Sequence, residues 1–258
     1  MAAQSRRPRF AHWRFASALV AVAIVTGCGR GPLTPIMSVV PNGTIQFQMI
    51  VSGSITPSQG DYIIAVNAVT AQGTSVNPGE SAGMPTVVEA QTGSFTHWDQ
   101  EFVYGFDTGA QPNGFNYSYK VVGTGGAAIF VPIILTTNQF IFNPMLTTGN
   151  GVNNTMSIQL PIAALSIRGN PNGSNPPTVT SPAAVLLHVN FITLDTTHAP
   201  QDQLGCCSLQ TSGYDLVIDL TTPATYNNQL TSPPTKMGPS NPNLFITGGQ
   251  IIVSPATP

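Results

Sequence analysis

Ile45-Gln46-Phe47-Gln48-Met49-Ile50-Val51 and, beyond Pro57 and Gly60, Tyr62-Ile63-Ile64-Ala65-Val66-Asn67-Ala68-Val69 are the stretches whose reading decides the fold. In the first, Ile45, Phe47, Met49 and Val51 alternate with Gln46 and Gln48, the two-residue period of a strand with one apolar face. The second is rich in β-branched residues and bounded by turn formers, so the pair reads as strand, turn, strand. Further strand candidates run over 85–91, 95–106, 115–123, 128–135, 138–143, 155–160, 162–168, 184–195, 213–220 and 244–253, the last broken by Gly248-Gly249. Between them stand Asn77-Pro78-Gly79, Pro112-Asn113-Gly114, Asn150-Gly151 and Asn172-Gly173, where Gly and Asn tolerate positive φ and Pro presets φ. Helix signals are almost absent. Many short strands with such punctuation predict an all-β protein, an antiparallel β-sandwich. The Pro/Asn/Gly-rich stretch 169–182 is the longest interruption and a possible seam, but strands flank it closely and one unit is preferred to two.

The chain has 258 residues, 41% of them hydrophobic and 7% charged. From Cys28 onward the cations are Arg30, Lys120, Arg168 and Lys236 against all ten acids, a net charge of −6. Without a basic cluster to neutralise phosphates, the charge argues against anionic lipid headgroups and nearly excludes a nucleic-acid partner. The apolar fraction is too high for a chain held disordered by self-repulsion. Scarce ionisable groups leave few candidates for acid, base or metal chemistry, which disfavours an enzyme. Low charge on edge strands removes a common guard against edge pairing, so association with a partner or with copies of the chain is expected.

Arg6, Arg7, Arg9 and Arg14 precede an eleven-residue apolar run, Phe15 to Val25, with no acid among them. As a helix that run reaches about 16 Å, roughly half a bilayer core, so it reads as a signal peptide rather than a span. It ends in Val25-Thr26-Gly27-Cys28, which resembles the lipobox of bacterial lipoproteins. The resemblance implies cleavage after residue 27 and lipidation of Cys28 with palmitate-type acyl chains, which anchor firmly because each buried methylene adds about 0.8 kcal/mol. It also implies a place in the bacterial cell envelope; residues 28–43, with Gly31-Pro32, Pro35 and Pro41-Asn42-Gly43, have few packable side chains and read as a flexible tether to a body over 44–258. Gly29 stands where an Asp would favour inner-membrane retention, so the outer membrane or cell surface is preferred. Lipidation of Cys28 leaves Cys206 and Cys207 adjacent in an oxidising space, as a vicinal disulfide, as two reduced cysteines, or in a ligand or redox role.

The sharpest local feature is Ser94 to Phe106, in which His97, Asp99 and Glu101 alternate with Trp98, Phe102, Tyr104 and Phe106 across the chain's two faces. As one strand it would bury the aromatics and expose the three polar groups, which are potential metal ligands completed by His188 or by His198. His188 lies in an apolar run, where a hydrogen-bonded core histidine is the expected role, and His198, Asp202, Cys206 and Cys207 form a loop constellation without a metal-site spacing. Asp215 and Asp219 read as a solvated strand face opposite Leu216, Ile218 and Leu220, rather than as a glycosidase pair. Gly123-Thr124-Gly125-Gly126 opens no helix and reads as a turn. The resulting expectation is a lipid-anchored envelope protein with a non-enzymatic binding or structural role and no cofactor, presenting loops or edge strands to a protein, a glycan or its own copies. The alternatives are a metal-binding protein or metalloenzyme using His97, Asp99 and Glu101, and sugar stacking on Trp98, Tyr117, Tyr119 or Tyr226.

Overall fold

A computed structural model describes residues 43–77, 80–105, 115–122, 128–132, 145–149, 152–168, 178–179, 183–203, 216–227 and 240–256. In chain order the strands are β1 (Thr44–Val51), β2 (Gly60–Thr70), β3 (Gln100–Tyr104), β4 (Phe115–Val122), β5 (Ala128–Pro132), β6 (Met145–Gly149), β7 (Val152–Pro161), β8 (Ile167–Arg168), β9 (Thr178–Val179), β10 (Ala184–Asp195), β11 (Pro200–Gln203), β12 (Leu216–Asp219), β13 (Ala224–Tyr226) and β14 (Ile246–Ser254). One α-helix, α1 (Val87–Thr92), lies between β2 and β3. The first sheet has the order β13-β14-β1-β7-β6; the second runs β11-β10-β2-β3-β4-β5, with β12 also paired to β10. The paired strands are antiparallel throughout, and the fold is the all-β sandwich that the alternating stretches require.

The register carries the two opening stretches into a core. Ile45, Phe47, Met49 and Val51 point from β1 toward Tyr62, Ile64, Val66 and Ala68 of β2, and all eight belong to one buried apolar cluster between the sheets. The ring of Phe47 lies 5.8 Å from that of Phe102, which stacks on Tyr117 at 4.6 Å. Gly249 of β14 leaves no room for a side chain between the layers: a Cβ there would sit 2.5 Å from the Phe191 ring of the other sheet and 2.5 Å from the Gln48 carbonyl.

β2 reads as a nearly continuous apolar run because its other face is covered as well. Ile63 and Ala65 join Val103, Ile192 and Leu194 in a second, smaller cluster, closed from outside by Val87 and Trp98. Phe95 packs edge-on against Trp98 at 5.2 Å and against Phe130 at 4.8 Å. The segment between β2 and β3 is therefore a cap laid over the outer face of the second sheet.

Three sequence expectations are corrected here. Residues 85–91 are not a strand: Thr86 starts α1, accepting a hydrogen bond from Glu89 N–H while Glu89 Oε2 accepts one from Thr86 N–H, and Gly93 ends it at φ 70°. Residues 162–166 form a 3-10 turn before the short β8. The 95–106 run contributes only Gln100–Tyr104 to the sheet, because its first residues cross the cap. By contrast, β10 spans 184–195 as expected. The 138–143 run lies outside the described residues, as does most of 169–182, of which Thr178–Val179 (β9) pairs with β8.

Candidate functional site

Beneath the cap, three ionisable side chains meet in a buried cluster. Asp99 is where the chain enters the second sheet: its N–H donates to Val66 O at 2.9 Å, and its carbonyl accepts Lys120 N–H at 2.8 Å. Just N-terminal to Asp99 the chain turns away into the cap, and the Asp99 carboxylate takes over as acceptor for the next β2 amide, Ala68 N–H, at 2.6 Å. The Ser75 hydroxyl donates to the same carboxylate at 3.2 Å.

Lys120 projects from β4 onto this outer face, opposite Phe130 in the β4–β5 register, and is 1% exposed. Its Nζ lies 2.5 Å from Glu80 Oε1 and also donates to the Phe95 carbonyl. Asn77 Nδ2 donates to Glu80 Oε1 at 2.8 Å, whereas Glu80 Oε2 is buried without a donor. Burial, then the hydrogen bond to Asp99 and the Asp99 charge, push the Glu80 carboxyl up to about 10. Burial also raises Asp99, against the hydrogen bond it receives from Glu80. Two coupled carboxyl groups buried together share one proton, and the raised Glu80 value assigns it to Glu80.

A second polar site lies on the same face. Glu101 accepts a hydrogen bond from the Ser118 hydroxyl at 2.9 Å, and burial, with a smaller contribution from Asp61, pushes its carboxyl up to about 7. His198, at φ 61°, places Nε2 3.9 Å from the buried Asp61.

The residues expected to bind metal take separate roles. His97 Nδ1 lies 3.2 Å from Glu89 Oε1 in the cap, Asp99 is in the buried cluster, and Glu101 is bonded to Ser118. His97 and Asp99 precede the strand, and Asp99 is 3% exposed, so the expected solvated face of three polar groups is not formed. The expected aromatic face divides too: Trp98 belongs to the outer cluster, Phe102 and Tyr104 to the inner one, and Phe106 lies outside the described residues. Among the described residues, no three His, Cys, Asp or Glu side chains gather as a metal-holding group.

His188 is half-buried on the outer face of β10, in register with Asn67 and Val217, rather than in the inter-sheet core. Asp202 is buried and accepts Ile246 N–H at 2.8 Å, tying β11 to β14 across the layers. Asp219 caps its own turn by accepting Thr221 N–H at 2.8 Å, with Leu216, Ile218 and Leu220 inward as expected. Asp215, Cys206, Cys207 and Cys28 lie outside the described residues. Trp98, Tyr117 and Tyr119 are buried, so these three rings offer no sugar-stacking surface, and Tyr226 is half-buried with its hydroxyl accepting Asp219 N–H.

Sequence reasoning missed Glu80 and Lys120. Lys120 carried a readable signal: it is a lone cation in an aromatic strand, on the face opposite Tyr117 and Tyr119. Glu80 follows a turn and has no periodicity to assign it a face. Comparison of the chain with family models, with curated proteins and with solved structures finds no match.

Proposed function

We propose that the protein is a lipid-anchored component of a bacterial cell envelope with a non-enzymatic, binding or structural role. The observation that carries this reading is the use made of the carboxylates. Eight of the ten acids lie in the described residues, and five of those, Glu89, Asp99, Asp195, Asp202 and Asp219, accept hydrogen bonds from main-chain amides. A carboxylate held by amide donors stabilises a turn or a strand junction, and its lone pairs are directed to the fold rather than to a substrate. The rest of the support comes from the chain's beginning, where the arginines, the short apolar run and Val25-Thr26-Gly27-Cys28 make a consistent lipoprotein leader.

Expression of the whole precursor in a Gram-negative host with labelled palmitate tests this. Label in the protein and partition into detergent, both abolished by Cys28→Ser, are expected. An unlabelled chain that keeps residues 1–27, or one found in the aqueous phase with Cys28 intact, would overturn the reading.

A further inference from the structure

The Lys120, Glu80 and Asp99 cluster has more than the parts of a buried ion pair. We propose that Lys120 Nζ and the Glu80 carboxyl become joined by an amide bond that the folded chain forms by itself, with Asp99 as the proton carrier.

Each partner is placed for this reaction. The nucleophile is 2.5 Å from Glu80 Oε1, one bond from the carbon it must attack, on a side chain held 1% exposed. Well-oriented neighbours of this kind reach effective molarities of about 10⁵–10⁸ M, enough to replace external activation. The acceptor oxygen that would carry developing negative charge, Oε1, already receives a hydrogen bond from Asn77 Nδ2. The other oxygen, Oε2, is buried and receives no hydrogen bond. It is the oxygen that leaves.

The step balances without an oxidant or an activating group. Asp99 takes a proton from the Lys120 ammonium. The amine lone pair forms the Nζ–Cδ bond, and the Cδ–Oε2 bond breaks. Oε2 departs as water, with the proton it already carried and a second from Nζ. The products are one amide, one water and a protonated Asp99, with no net charge before or after. The new amide keeps the existing contacts: its carbonyl accepts from Asn77, and its N–H donates to the Phe95 carbonyl. Loss of water from a dry site and removal of a buried ion pair both favour the product, because desolvated charges are costly to hold. The link would staple the cap to β4, which suits a domain that stands outside the cell and is loaded through its anchor.

Tryptic digestion of the denatured mature protein, read by mass, is the test. The chain from Cys28 has four cleavage sites, at Arg30, Lys120, Arg168 and Lys236, and an acylated lysine is not cut. The expected product is an uncut 31–168 fragment, one water lighter than its sequence, with fragmentation placing the loss between Glu80 and Lys120. Because Cys28 lies outside that fragment, lipidation does not affect the reading. Lys120→Arg, whose arginine trypsin still cuts, and Asp99→Asn should both give separate 31–120 and 121–168 fragments of full mass. If either variant fails to fold, the wild-type digest decides alone. Separate 31–120 and 121–168 fragments of full mass, or a water loss elsewhere with Lys120 cleaved, would overturn the proposal.

Discussion

Glu101 shows how a single buried carboxyl leaves a mark on the whole titration curve. Its folded-state value of about 7 lies above the ordinary 4.5, so between those values the native state binds a proton that the unfolded chain has released. Stability is then largest below about 4.5 and falls as pH rises through 7, the reverse of a salt-bridged carboxylate. Glu101→Gln keeps an oxygen for the Ser118 hydroxyl and removes the titration. The variant should match the wild type at pH 4.5 to within a few tenths and exceed it by about 3 kcal/mol at pH 8, measured by urea denaturation. The same residue shows where sequence reasoning stopped. Spacing by two correctly separates Glu101 from Phe102, but whether a face meets water depends on what covers the sheet, and the cap that covers this one is distant in register. Asp99 failed for the same reason, and His97 because the strand starts three residues after it.

Elements were legible in proportion to their length and period. β1, β2 and β10 announce themselves through alternation or a long apolar run, since each repeats the signal several times. α1 has six residues, fewer than two turns, so no 3.6-residue stripe can develop. What marks it is local chemistry: Thr86 and Glu89, three apart, satisfy each other's exposed amides, and that capping box was there to be read. Its weight in the fold is larger than its length, because Glu89 Oε1 also accepts the amides of Thr96 and His97 and so fixes the return of the cap toward β3. Thr86→Ala removes the helix cap and leaves the other Glu89 bonds in place. The expected cost is about 1 kcal/mol, read as a lower urea midpoint with an unchanged slope.

At the scale of the whole molecule, the second sheet is a shared wall with a large core on one side and a small capped core on the other. A small outer core held by apolar burial alone would open before the sandwich does, since it removes little surface from water. Here the cap is also fastened through polar ties that reach the sheet itself: Asn67 Nδ2 to Ser81 O and Asn190 Nδ2 to Pro85 O, each at 2.9 Å, besides Lys120 to Glu80. Breaking them would strand buried polar groups, so the cap and the sandwich should unfold as one unit. Trp98 reports on this directly. The chain has two tryptophans, and in the form beginning at Cys28 the fully buried Trp98 is the remaining one. Its emission follows the cap, whereas far-UV circular dichroism follows mainly the two sheets. In urea the two transitions of that form should coincide. Lys120→Met, which removes the tie between β4 and the cap and leaves Glu80 free to stay protonated, should pull them apart, with the fluorescence change at lower urea. Separate transitions already in the wild type would mean that the polar ties do not couple the two cores.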